Sequence, residues 1–304
     1  MSSAAPSGSA AASGPGGKLG LIAGGGDLPV RLIDAARDAG RDLYVLAIQG
    51  QADIAAEALA GIPHDWVRIG SIGKALDLLR AAGVRDLIFA GRIKRPSFVA
   101  LMPDARGAKF LAKVAGKALG DDGLLRAVIT EFESEGFRVL GPDDVLVDLL
   151  VPAGALGRIA PDETAWADIR HGMAIARGIG ALDVGQAAVV QQGLVLGVEA
   201  IEGTDALLAR CADLRRDGPG GVLVKAKKPS QERRIDLPTI GPRTVEGAAK
   251  AGLRGIAVEA GQALLLDRDG LIAAADRLGL FVVGVPADST STTGVPAGLG
   301  PAAP

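Results

Sequence analysis

Positive charge is concentrated in one stretch of this chain. From Lys225 to Arg243 six basic residues (Lys225, Lys227, Lys228, Arg233, Arg234 and Arg243) accompany two acidic ones, Glu232 and Asp236, in a 304-residue sequence whose formal charge is -2. Cations that neutralise phosphate oxygens, beside a carboxylate able to hold a metal or orient water, are the parts that phosphoryl transfer requires. The alternative is a solvated charged loop. The three prolines, the glycine and the threonine of KKPSQERRIDLPTIGP point instead to a loop held in one shape.

Three other clusters could serve the same chemistry. Gly24-Gly25-Gly26-Asp27 lies between an apolar run and an amphipathic segment, where N–H groups at a helix start favour an anion. It also reads as a plain glycine turn. The dinucleotide fingerprint is absent, because GxGxxG needs Gly at Pro29 and no acid closes the second strand at Ala47 or Ile48. Gly91-Arg92-Ile93-Lys94-Arg95-Pro96 follows an apolar run, and its three cations in four positions cannot share one regular face, which frees at least one of them for phosphate. Gly120-Asp121-Asp122-Gly123 puts adjacent carboxylates at a helix start; one has a sufficient reason as a cap, and the other, Asp122, is a candidate Mg²⁺ ligand. His64 and His171 are the only histidines, fit no HExxH or Ser/His/Asp pattern, and are expected to be structural.

The elements that position these clusters are those of an α/β protein. KLGLIA, the glycine loop, an amphipathic segment ending at Gly40 and DLYVLAI form a strand–turn–helix–strand unit of a parallel sheet, repeated through a helix at Lys74 to Ala82 and the strand DLIFAG. The sequence therefore predicts a Rossmann-like first domain over 18–149 and a second α/β domain over 150–285. The second carries a helix near Thr164 to Ile179, a β-rich run AAVVQQGLVLGVEAI, the strand GVLVKA, and further apolar runs at GIAVEA, ALLLD and LFVVGV. Residues 1–17 and 286–304, rich in Ala, Ser, Gly and Pro, read as disordered tails.

Composition narrows the class. With 48% hydrophobic and 22% charged residues the chain can bury a real core, and a pI near 5.8 gives no general attraction to nucleic acid. A single cysteine, Cys211, excludes an internal disulfide. With no long apolar span and no secretory signal pattern, the chain is expected in the cytoplasm.

Taken together and in order, IAGGGDLP, GRIKRP, GDDGLL, DVGQAAVVQQGLVLGVEAIEGTD and KKPSQERRIDLPTIGP resemble the LpxI-type UDP-2,3-diacylglucosamine diphosphatases of lipid A biosynthesis, over about Lys18 to Val285. The resemblance implies two α/β domains with ligand held between them, a homodimer, and Mg²⁺ or Mn²⁺ dependence. It also implies hydrolysis of UDP-2,3-diacylglucosamine to UMP and 2,3-diacylglucosamine 1-phosphate (lipid X), with water attacking the phosphorus on the sugar side. The family's essential aspartate falls in RRIDLPT and carries over to Asp236.

On this reading Asp236 binds metal or activates water, Asp122 is a second metal candidate, and Lys225, Lys228 and Arg234 stabilise diphosphate charge. Gly24, Gly25, Gly26, Asp27, Arg92, Lys94, Arg95, Gln186, Thr204 and Thr239 contact substrate, and Glu199 and Asp205 lie in the same motifs. A substrate with two acyl chains suggests peripheral contact with the inner membrane leaflet. The alternative from another class is a nucleotide-sugar or dinucleotide binding protein without hydrolytic activity.

Overall fold

The computed structural model describes residues 17–93, 102–114, 121–146, 149–229, 234 and 237–287, with the side chains of Asp121 and Asp122 outside that description. Lys94, Arg95 and Asp236 lie outside the described residues, as do most of the two tails.

The first sheet is built from β1 (Lys18–Ala23), β2 (Leu43–Ile48), β3 (His64–Val67), β4 (Val84–Ala90) and β5 (Arg138–Leu140), parallel throughout in the order β3-β2-β1-β4-β5. β2 is buried along its whole length, as expected for a parallel strand covered on both faces. One face is covered by α1 (Asp27–Asp38), whose buried Pro29, Leu32, Ile33 and Ala36 recur at helical spacing and pack on Leu19, Leu21 and Val45. On the other face α2 (Ile72–Ala81) and α4 (Asp121–Ser134) bring Leu76, Leu79, Ile129 and Phe132 against Leu46 and Leu87. A further helix, α3 (Ala105–Val114), packs beside α2. The chain reverses its direction of sheet growth between β1 and β4, which makes their carboxyl ends a topological switch point, the usual ligand crevice of open α/β sheets.

The second sheet is mixed. Its strands are β6 (Gly154–Ala155), β7 (Ala187–Gln191), β8 (Leu194–Val198), β9 (Val222–Lys225), β11 (Gly255–Glu259) and β13 (Phe281–Val285), ordered β6-β13-β11-β9-β7-β8. β9, β11 and β13 run parallel, whereas β7 is antiparallel to both β8 and β9. The β7–β8 hairpin turns on Gln192 and Gly193, with φ of 52° and 75°, the two-residue turn whose twist suits paired strands. Helix α5 (Glu163–Ala181), capped by Asp162, covers one face with Ile169 and Met173 on Val222 and Val224. α6 (Gly203–Ala212), α7 (Pro242–Lys250) and α8 (Arg268–Leu278) cover the other with Leu208, Val245 and Leu271. A two-stranded pair, β10 (Thr239–Ile240) with β12 (Leu264–Leu265), stands apart from the main sheet. No described helix is long and apolar enough to cross a membrane.

Candidate functional site

At the switch point of the first sheet, Gly25 and Arg92 exchange two backbone hydrogen bonds, Gly25 N donating to Arg92 O at 2.9 Å and Arg92 N to Gly25 O at 2.8 Å. Gly24 N donates to Ala90 O at 2.8 Å and Gly26 N to Asp53 Oδ1 at 2.8 Å. The three glycine N–H groups are thus engaged within the fold. Glycine is required there by close approach: a Cβ at Gly24 would stand 2.6 Å from Arg92 O and one at Gly25 2.7 Å from Gln51 O, while Gly26 has φ of 91°. The sequence anticipated free N–H groups cradling an anion. In the structure the N-terminus of α1 instead lies beside the Arg92 guanidinium, whose Nε is 3.6 Å from the position a Gly26 Cβ would take. The charged groups at this loop are therefore the Arg92 guanidinium and the carboxylate of Asp27, exposed in the first turn of α1.

In the second domain the carboxyl ends of the parallel strands gather the polar groups. Register places Lys225, the last residue of β9, beside Ala187 and Val258. Its buried ammonium donates to Thr239 O at 3.1 Å, tying the end of β9 to the start of β10. Lys228 is also buried, and its Nζ meets Asp183 Oδ1 at 2.7 Å. Glu199, 6% exposed, accepts from the Thr204 hydroxyl at 2.6 Å and from Gln186 N at 3.1 Å. One carboxylate thus fixes the start of α6 to the entry of β7.

The two halves meet through these residues. Arg92 Nη1 lies 3.8 Å from Asp205 Oδ2 in the first turn of α6, joining the switch point of the first sheet to the carboxyl edge of the second. Arg234 reaches the other way, its Nη1 donating to Glu133 Oε1 of α4 at 2.5 Å and to Val139 O at 3.4 Å. Beneath, Leu28 of α1 packs with Leu146, Leu149, Leu237 and Leu264 in one apolar cluster.

The comparisons with known proteins cover both domains. Residues 18–149 match the LpxI N-terminal domain and residues 152–283 the LpxI C-terminal domain. This chain belongs to the LpxI family. A relative named UDP-2,3-diacylglucosamine pyrophosphatase LpxI, from Caulobacter vibrioides, is 51% identical over 275 residues, covering 88% of this chain and 97% of its own length. Among solved structures, CobK precorrin-6A reductase aligns over 92% of this chain and 90% of its own, at 14% identity and a TM-score of 0.33, too low to bear on the fold.

Of the residues expected to form the site of this LpxI-type chain, the structure brings Gly24, Gly25, Gly26 and Arg92 together. It also brings together Gln186 and Thr204 on Glu199, and Lys225 with Thr239. Lys228 and Arg234 are paired with Asp183 and Glu133, so their charges are balanced within the fold. His64, with Nδ1 2.8 Å from Ile62 O, and His171 are exposed outside these clusters. Cys211 is buried in the core and burial raises its thiol pKa, as for an inert thiol. Surface recesses between α3 and α4, and at the amino ends of β4 and β5, contain none of the expected residues.

The described carboxylates do not by themselves fit a metal. Among the described residues no three His, Cys, Asp or Glu side chains come together, and Glu199, Glu259 and Asp183 already accept from protein donors. The sequence alone did not single out Glu259; the run GIAVEA marks a strand, and only the fold sets its end beside β9. Asp53, the acceptor for Gly26, carried no sequence signal.

Proposed function

We propose that this chain hydrolyses the diphosphate of UDP-2,3-diacylglucosamine, releasing UMP and 2,3-diacylglucosamine 1-phosphate. The observation that carries the reading is the junction of Arg92 with the first turn of α6. The Arg92 guanidinium stands where the domains face each other, between the start of α1 and the first turn of α6, and a guanidinium there suits a diphosphate. Family membership and the Caulobacter relative support the choice of substrate.

In the proposed reaction water adds to the phosphorus on the sugar side, the bridging P–O bond breaks, and UMP leaves with the bridging oxygen. Asp236 accepts the proton of the attacking water or orients it. Arg92 contacts the diphosphate, with Lys94 and Arg95 following it in sequence. Lys225 contributes positive potential from a buried position, where salt screens it less than a surface charge, and Lys228, its charge offset by Asp183, anchors the segment that follows it. Gln186, Thr204 and Thr239 orient the nucleotide sugar. Mg²⁺ or Mn²⁺, when bound, supplies charge neutralisation at the phosphates; Asp236 and Asp122 are the residues proposed to hold it, since Mg²⁺ commonly takes one or two carboxylates with substrate phosphate and water. The chain works as a homodimer against the inner membrane leaflet, from which the diacylated substrate comes.

The test is direct. Incubation with UDP-2,3-diacylglucosamine and Mg²⁺ is expected to yield UMP by chromatography, with loss on chelation and recovery on adding Mg²⁺ or Mn²⁺. Binding of substrate without UMP release would overturn hydrolysis in favour of a nucleotide-sugar binding protein.

A further inference from the structure

Glu259 ends β11, is 8% exposed, and has both carboxylate oxygens engaged. Oε1 accepts from Arg177 Nη2 of α5 at 2.7 Å and Oε2 from the backbone N–H of Lys227 at 3.3 Å. The second bond is informative. β9 leaves the sheet after Lys225; Ala226 N still reaches Gln186 O at 3.0 Å on the β7 side, and on the β11 side the acceptor for Lys227 is a side chain. Glu259 thus extends the strand ladder by one residue with its carboxylate.

The next residue is held by a second partly buried ion pair, Lys228 with Asp183, and Lys228 Cα packs 3.2 Å from where a Gly180 Cβ would lie. The end of α5, through Arg177, Gly180 and Asp183, is therefore the platform under Lys227 and Lys228. Partly desolvated ion pairs such as these add little net stability, since desolvation offsets much of their attraction, and fixing one arrangement over others is the use they serve best.

We propose that Glu259, braced by Arg177, is a positioning residue for the hydrolysis: it sets the direction in which β9 hands the chain on from Lys225 to Lys228. This rests on the functional reading above, in which those lysines and Asp236, farther along the same connection to Thr239, serve the reaction.

The test compares Glu259→Ala with Glu259→Gln, which keeps one acceptor oxygen for Lys227, and with Asp168→Ala. Asp168 is buried and accepts from Gln192 N and Gly193 N at 3.0 and 2.7 Å, at the β7–β8 turn on the far edge of the same sheet. Steady-state kinetics should show kcat for UMP release lowered roughly 10- to 100-fold in Glu259→Ala, with KM held within about threefold. Glu259→Gln should recover much of that loss, and Asp168→Ala should lower the thermal midpoint while keeping kcat. Amide exchange over 226–229 should accelerate in Glu259→Ala and not in Asp168→Ala. An unchanged kcat in Glu259→Ala, or a loss matched by Asp168→Ala, overturns the proposal. If the wild-type chain releases no UMP, the functional reading fails, and the exchange result still decides whether Glu259 holds the segment.

Discussion

Replacing Arg92 by Ala separates a structural ion pair from a substrate contact. In the structure Arg92 meets Asp205 at 3.8 Å, with side chains 72% and 76% exposed. A pair so exposed contributes about 0–1 kcal/mol to folding, and the backbone bonds of residue 92 to Gly25 do not depend on its side chain. The thermal midpoint of Arg92→Ala should therefore lie within a few degrees of wild type, on the order of 1 kcal/mol. A hydrogen bond from the same guanidinium to a diphosphate is worth about 1.5–3 kcal/mol. Its loss should weaken kcat/KM about 10- to 150-fold. The two measurements, UMP release over a range of substrate concentrations and thermal unfolding, are made on the same preparation. A kcat/KM within about twofold of wild type would show that Arg92 touches no phosphate, and a large fall in stability would show that its role is to hold the domains.

Other outcomes follow from the remaining geometry. Asp86, 3% exposed at the amino end of β4, accepts from Arg41 Nη2 at 2.6 Å and Arg138 Nε at 2.8 Å; Asp86→Ala should cost about 3 kcal/mol by urea unfolding and leave the kcat of the folded protein intact, because this end of the sheet is opposite the switch point. The N–H of Ala165 chiefly, helped by Thr164 and Arg254 against partial burial, holds the Asp162 carboxyl below the ordinary carboxylate range. Its folded pKa lies below the unfolded one, so its stabilisation is present above the unfolded value of about 4 and is lost as pH falls through the folded value; Asp162→Asn should flatten the acid limb of urea midpoints measured against pH. Hydrolysis in ¹⁸O-labelled water should place the label in the sugar phosphate, and label in UMP would contradict attack on the sugar-side phosphorus.

The α/β character of both halves was legible because parallel strands buried on two faces read as plain apolar runs, as in LYVLAI and FVVGV, between helices with clear spacing such as that of Leu32, Ile33 and Ala36. The strand order of the second sheet was not, because nothing in AAVVQQGLVLGVEAI states which edge of β9 it will join. The candidate site was legible by residue type more than by arrangement. The glycine run marked the switch point correctly, but its N–H groups serve Arg92, Ala90 and Asp53, partners far off in sequence that only the fold reveals. Lys228 and Arg234 looked like phosphate-facing cations because sequence shows the charge and not the carboxylate across from it, Asp183 or Glu133. Asp205 meeting Arg92, and Glu259 holding the Lys227 amide, join residues more than 30 positions apart, and no local pattern announces them.

The central claim, hydrolysis dependent on Asp236, is tested most directly by comparing UMP release from UDP-2,3-diacylglucosamine by the wild-type chain and by Asp236→Ala, with substrate binding measured on both. Robust release by wild type, with turnover abolished and binding largely retained in Asp236→Ala, is the predicted result. Turnover by Asp236→Ala at a rate near wild type would contradict it.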